Sequence, residues 1–427
     1  MKLTVDHITK VEGHGRLHVK VNKGDIECVE MQIFEGARYF ESLVKDRDIS
    51  EVPAITSRIC GICSQSHLIC ALTAIEKAIK VKPSPQTETL RQLIMLGSIM
   101  QSHVLHLYFL ALPDYLGYDN ALAMAKKYPK EVKRALKLKS FANRMVSTIA
   151  GREIHSERPV LGGFAKLPTQ EEIDELFKDL KEHKDDFYET AKLFAKLKQP
   201  KFERDTRYAA LRNKDKSDYV KGDLYTDEGK KVLQNNYASH IKEKVVPYSN
   251  TKCVMLGDRE FMVGALARIN VNKRYLSRNT KQMINQSKIT FPNANPYMNN
   301  AAQGFELVDL YDKAQNLLRG FKIKDEKPKP AKPKSGRGVA IIEAPRGLLI
   351  HEYEVSAKGK IKKANIIAPT TQNLKNIEED VKELLPGLMR RKLTEKKMRH
   401  ELERIVRAYD PCISCSTHFL DITWEHA

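Results

Sequence analysis

Asp410-Pro411-Cys412-Ile413-Ser414-Cys415-Ser416-Thr417-His418 lies almost at the end of the chain, and Arg58-Ile59-Cys60-Gly61-Ile62-Cys63-Ser64-Gln65-Ser66-His67 answers it near the beginning with a second pair of cysteines three apart. Nearly the whole sequence separates the two pairs. Four thiols so placed point to a fold in which opposite ends of one chain meet, and that junction is the expected active site. Cysteines three apart at a loop-to-helix start lie on one side of the turn, so both sulfurs can grip one ion. Helix N-terminal amides and Arg58 favour the thiolate form. Four thiolates suit zinc, an iron–sulfur cluster, or nickel with iron. A zinc ribbon spaces its pairs roughly 15–20 residues apart, so the far longer separation here disfavours one.

Around this junction, 427 residues with 41% hydrophobic content are enough to bury a substantial core. No stretch approaches the eighteen apolar residues of a membrane span, the best being Val104 to Leu112, which stops at Pro113. The N-terminal Met1 to His7 has no apolar signal core, and seven cysteines fit a reducing, cytoplasmic setting rather than a disulfide framework. A net charge of +19 invites a nucleic-acid reading. The lysines, however, alternate with acids, as in Glu171 to Lys181, which is the pattern of a wet helix face. No nucleic-acid partner is expected.

The periodicities predict an α+β, mainly α fold: a long-helix bundle core with an N-terminal β-hairpin and a small C-terminal sheet. Residues 1 to about 36 alternate like strands around a turn at Asn22 to Asp25. Residues 38–320 read as the helical bundle, with Glu88 to Leu112, Pro129 to Ala150, 170–198 and Gln282 to Arg319 as helices and a weakly periodic insertion at 203–260. A Pro/Lys-rich surface linker covers 324–337. The α+β part, 338–418, has strands at Val339–Ile342, Leu348–Val355 and Lys360–Ile367 and a last helix from about Thr394 to Tyr409. Together 1–418 form one catalytic domain.

Taken with further signatures, the two cysteine motifs resemble the large subunit of nickel–iron hydrogenases, whose hallmarks are R-x-C-G-x-C-x-x-x-H and D-P-C-x-x-C-x-x-H. The other matching stretches are Val11-Glu12-Gly13-His14, Arg38 to Glu41, Ser102-His103 through Tyr108, Gly162-Gly163, Val263 to Asn270 and Glu343-Ala344-Pro345-Arg346-Gly347. The resemblance implies reversible heterolytic cleavage of hydrogen. It implies that Cys60 and Cys412 bind nickel terminally and that Cys63 and Cys415 bridge nickel to an iron carrying carbon monoxide and cyanide. Glu12 stands where the family gates protons, a task for which a carboxyl is suited; a strand-end salt bridge is the ordinary alternative. Arg346 matches the arginine held over the metals, with Asp410 as its acidic partner and Pro345 shaping the same canopy. A fixed guanidinium supplies positive field and donors without titrating. Thr370 falls where relatives hydrogen-bond a cyanide, and His67 is expected to donate to a thiolate. Glu41 and His418 match ligands of a magnesium, or sometimes iron, near the C-terminus. His103 and His106 read equally well as core histidines, and Cys28, Cys70 and Cys253 as small buried hydrophobes.

In this family an endopeptidase removes residues after the final motif histidine, here Phe419 to Ala427, which would take away Trp424, the one tryptophan. The chain has no ferredoxin-like cysteine run and no strand–GxGxxG–helix. Its electrons are therefore expected to leave through a small subunit with iron–sulfur clusters. Further subunits would reduce NAD(P) or the deazaflavin F420, or pass electrons to ferredoxin, as in the cytoplasmic bidirectional group. The alternative, a non-catalytic coupling subunit like the quinone-site subunit of respiratory complex I, does not need the four cysteines. A zinc-stapled nucleic-acid binder would predict zinc and a steep salt dependence.

Overall fold

A computed structural model describes residues 2–5, 8–23, 25–36 and 39–417. The N-terminal strands β1 (Lys2–Val5), β2 (Gly15–Asn22) and β3 (Asp25–Ile33) form one antiparallel sheet in that order. β2 alternates buried and exposed residues because one pleat face, with Leu17, Val19 and Val21, is turned to the core. The expected hairpin thus gains a third strand.

The bundle is built on α1 (Ser64–Ile79), α2 (Pro85–Leu105) and α3 (Pro129–Ala150). α2 starts where it does because the Ser84 hydroxyl accepts from Thr87 N and Pro85 occupies the first turn, where no amide is missed. Residues 170–198 form two helices rather than one, α4 (Gln170–Glu182) and α5 (Lys184–Lys196), broken at His183. The insertion supplies β4 (Arg207–Asn213), β5 (Asp223–Thr226), β6 (Ile241–Val245) and β7 (Lys252–Leu256). α6 (Ala265–Asn272), α7 (Arg278–Ser287) and α8 (Asn299–Leu318) follow. The expected helix at Gln282 to Arg319 is therefore interrupted, with Pro292 and Pro296 in the gap.

The C-terminal sheet runs β8 (Gly336–Ala344), β9 (Gly347–Val355), β10 (Ile361–Ile367), antiparallel throughout. The sequence reading holds no helix between Ile367 and Thr394, yet α9 (Pro369–Arg390) fills that gap before α10 (Glu395–Ala408). Pro369 sits in the first turn of α9, where no amide is missed, whereas Pro386 lies inside the helix, one turn before its end at Arg390.

Helix α8 is the pivot. Ala301, Ala302, Phe305 and Val308 belong to the core under the N-terminal sheet and α9, while Leu307, Leu310, Tyr311 and Ala314 belong to the core among α2, α3 and α5. A helix buried on all sides has no wet face for its polar residues, so Gln303 and Glu306 need partners inside the protein. The apolar helical stretch also corrects one expectation: Pro85–Leu116 is long and apolar enough to span a bilayer by length and composition, but 83% of its apolar window is buried inside the protein. Its hydrophobicity is spent on the core.

Of the expected linker 324–337, residues 324–335 lie along the surface as a pinned strap, while Gly336 and Arg337 already belong to β8. Gln86 Oε1 accepts from Lys324 N at 2.8 Å, Ser84 Oγ donates to Glu326 at 2.6 Å, and Gly162 O accepts from Lys329 N at 3.1 Å. α1 then packs so closely on β8 that a Cβ on Gly338 would fall 2.0 Å from Ala74 O. That contact seats the helix bearing Cys63 against the sheet bearing Arg346.

Candidate metal centre

Cys60 leaves a 3-10 turn in extended conformation, and Cys63 is the N-cap of α1. Their counterparts follow Asp410, whose φ of 51° turns the chain sharply after α10, and Cys415 sits in a short 3-10 turn, Ser414–Ser416. The two ends meet. Cys60 Sγ is 3.2 Å from Cys412 Sγ, Cys63 Sγ is 3.0 Å from Cys415 Sγ, and Cys412 Sγ is 3.1 Å from Cys415 Sγ. All four sulfurs lie within 4.8 Å of one another and are buried. Hydrogen bonds from Cys412, Cys415 and Cys63 hold the Cys60 thiol well below its ordinary pKa, with Arg346 adding to the effect, whereas burial pushes Cys412 well above. Four buried sulfurs, with Cys60 disposed to ionise, are a ready ligand set for soft cations.

The residues expected around the thiols fall into different places. Glu12 forms a parallel bridge with Cys412, and Glu12 O accepts from Ile413 N at 2.9 Å. Its carboxylate accepts from Ser414 N at 3.1 Å and from the Ser414 hydroxyl, and Oε2 is 3.2 Å from Cys412 Sγ. Every one of these partners belongs to the cysteine loop, and no cation is among them. Gly13 makes the approach possible. Its φ is +83°, and a Cβ there would meet Ile413 Cβ at 2.8 Å and Ser414 N at 2.9 Å. Gly13→Ala is expected to lower the unfolding free energy by about 1–3 kcal/mol and to draw Glu12 off Cys412. Chemical denaturation of the purified complex, paired with its hydrogen turnover, checks this; equal stability would refute the tight approach.

Pro345 and Arg346 are the two loop residues of the β8–β9 hairpin, since Ala344 pairs with Gly347. Arg346 Nε donates to Asp410 O at 2.8 Å and Nη2 to Asp410 Oδ1 at 3.0 Å, while the buried Nη1 has no partner among the described residues. Burial opposes its charge, but the Asp410 carboxylate, with the neighbouring cysteine sulfurs, keeps the guanidinium protonated, well above its ordinary range. Thr370 Oγ1 accepts from Cys412 N at 2.8 Å, leaving its own proton to give away. The contacts of His67 include one not anticipated: its Nδ1 lies 3.1 Å from His351 Nε2, and His351 Nδ1 lies 2.8 Å from the Tyr353 hydroxyl.

Glu41 stands apart from the thiols. Its Oε1 accepts from Ile366 N at 2.8 Å, and Lys252 Nζ is 4.0 Å from Oε2. His418, its expected co-ligand, and the tail Phe419 to Ala427 lie outside the described residues, as does Arg38. Three smaller readings change. Arg58 is exposed and donates to Ala54 O at 2.8 Å, so the cation over the thiols is Arg346. Cys28 and Cys253 are only half-buried, unlike Cys70. His103 and His106 are buried and bound to polar partners, 2.7 Å from Glu306 Oε2 and 2.6 Å from Gln303 Oε1.

Sequence reasoning passed over Arg268, Gln303, Glu306 and Ser414. One signal was available: Arg268 interrupts the apolar run Val263 to Ile269, and Glu306 stands among apolar neighbours on α8. Charges in such company are buried, and buried charges are paired.

The nickel-dependent hydrogenase family matches residues 38–134 and 205–418. The alpha subunit of sulfhydrogenase 1 from Pyrococcus furiosus is 36% identical, covering 98% of each chain. The alpha subunit of sulfhydrogenase 2 from the same organism is 32% identical, covering 99% of this chain and 100% of its own. Among solved structures, an NAD+-reducing [NiFe]-hydrogenase in its H2-reduced state superposes with a TM-score of 0.87 at 27% identity, covering 98% of this chain and 99% of that one.

Proposed function

This chain belongs to the family of nickel-dependent hydrogenases, whose catalytic subunits open hydrogen reversibly at nickel and iron, and we propose that Cys60, Cys63, Cys412 and Cys415 would hold the nickel and iron, Cys60 and Cys412 serving nickel and Cys63 and Cys415 serving both metals. The observation that carries this reading is the convergence of four buried sulfurs within 4.8 Å beneath a guanidinium whose Nη1 is unpartnered among the described residues. Soft thiolates match the metals. The spare donor on Arg346 matches a small polar ligand or a polarised diatomic molecule beside them.

When bound, nickel and iron supply the heterolytic cleavage of hydrogen; the protein supplies position, field and a proton exit. Arg346, fixed by Asp410 and shaped by Pro345, sets a permanent positive charge over the thiols. Glu12 accepts a proton from the Cys412 sulfur at 3.2 Å and hands it outward, its carboxylate held in place by the Ser414 amide and hydroxyl. The Thr370 hydroxyl, which accepts from Cys412 N, keeps its own proton and would donate it to a small polar ligand held with the metals. His67 supports the first cysteine pair through its pairing with His351. Glu41 and His418 would hold a magnesium or iron near the C-terminus.

The chain works within a multisubunit complex, as the relatives' names, which call them alpha and beta subunits, indicate. Within it we assign the electron outlet to a small iron–sulfur subunit, followed by an NAD(P)- or F420-reducing partner, with the cytoplasm as the location and a maturation endopeptidase that removes 419–427. The test is an infrared spectrum of the tail-processed complex in the region of metal-bound carbonyl and cyanide stretches, where side chains are silent. Bands there, dependent on nickel supply during growth, are the expected result. A blank spectrum from processed material would overturn the assignment.

A further inference from the structure

Two histidines three residues apart at the end of α2 face two polar residues three residues apart on α8: His103 opposite Glu306, and His106 opposite Gln303. Each rung continues toward the cysteines. Glu306 takes Arg268 in a bidentate pair, Nε to Oε1 at 2.6 Å and Nη2 to Oε2 at 2.7 Å. Arg268 spends its remaining donors on the hairpin tip, Nη1 on Ala344 O at 3.1 Å and Nη2 on Pro345 O at 2.8 Å. Gln303 Nε2 donates to Asp410 Oδ2 at 3.1 Å, and the opposite oxygen of Asp410 holds Arg346. All of these side chains are at least 95% buried.

We propose that this two-runged ladder, His103–Glu306–Arg268 and His106–Gln303–Asp410, aims Arg346 at the thiol cluster, with Arg268 and Gln303 as positioning residues. The inference rests on the reading of Arg346 as the group over the metals. Arg346 sits on a two-residue loop whose backbone is fixed from one side by Arg268 and whose side chain is fixed from the other by Asp410. Neither grip is adjustable. Glu306 holds Arg268 by both oxygens, with the Tyr219 hydroxyl also donating to Oε1 at 3.0 Å, and Glu343 Oε2 accepts from Nη1 at 2.9 Å. In the second rung, Gln303 presents its amide nitrogen to the Asp410 carboxylate, which turns its oxygen toward His106 Nδ1 at 2.6 Å; His106 Nε2 in turn meets Arg407 O at 2.9 Å, so the ring is held from both sides. Because both rungs spring from one face of α8, a slip of that helix would move both grips together.

A purely structural ladder and an aiming device differ in what their loss does to the metals. In the intact, tail-processed complex, Arg268→Lys keeps the charge but loses the fork. Turnover is expected to fall about 10- to 100-fold through misplacement of a polarising group, with KM for hydrogen unchanged and the carbonyl and cyanide bands displaced. Gln303→Leu, which leaves no buried charge unpaired, should displace the same bands, and it decides the matter if the lysine variant does not assemble. His103→Gln, which preserves a donor to Glu306, should keep the wild-type bands where His103→Leu moves them. Bands at wild-type positions with turnover within about twofold in folded Arg268→Lys or Gln303→Leu would overturn the ladder. A spectrum without bands in the unaltered processed complex would instead overturn the metal reading beneath it.

Discussion

Cys415→Ser is expected to lower hydrogen turnover of the purified complex by a factor on the order of 10³ or more and to abolish the carbonyl and cyanide bands. Serine is nearly isosteric, so folding is not the cause of the loss. A hydroxyl does not ionise where a thiol does, and an oxygen donor is too hard for the soft metals that four sulfurs select. Cys415 also lies between two neighbours, 3.0 Å from Cys63 and 3.1 Å from Cys412, so its loss opens both sides of the cluster. Cys253→Ser is the control: it is half-buried on β7 and outside the cluster, and its replacement should leave metal content and turnover as they were. Nickel and iron retained at wild-type stoichiometry in Cys415→Ser would sink the four-thiolate assignment.

Arg346→Lys is expected to cost about 100- to 1000-fold in turnover, the scale of losing a preorganised donor aimed at developing charge, with metal content preserved. Lysine keeps the cation near Asp410 but has neither the Nε contact to Asp410 O nor the Nη1 that is without a partner among the described residues. The change should fall on kcat and not on KM, because hydrogen itself offers no charge to bind in its ground state. Steady-state hydrogen uptake, together with metal analysis of the same samples, separates a missing field from a missing cofactor. Turnover within about threefold of wild type would remove Arg346 from the chemistry and with it the purpose of the ladder behind it.

The N-terminal alternation, the long helices and the small final sheet were legible because each is written locally, in periods of two or of three to four residues. α9 was not, because Pro369 and Pro386 look like breakers until their positions in the helix are known. The break at His183 was not legible either, whereas the gap before Asn299 carries its own signal in Pro292 and Pro296.

The site divides along the same line. By itself the sequence singled out the four cysteines, since two cysteine pairs at opposite ends of a chain have few reasons to exist except to meet, and its resemblance to a family named Arg346 and Asp410 beside them. Only the tertiary structure decided that Glu12 reaches Cys412 across the Gly13 gap, that Arg58 faces away, and that Arg268, Gln303 and Glu306 stand behind the canopy. The reason is burial. Which thiol, acid or guanidinium loses its water, and which partner must replace it, depends on contacts between residues hundreds of positions apart, and no local pattern along a chain encodes those contacts.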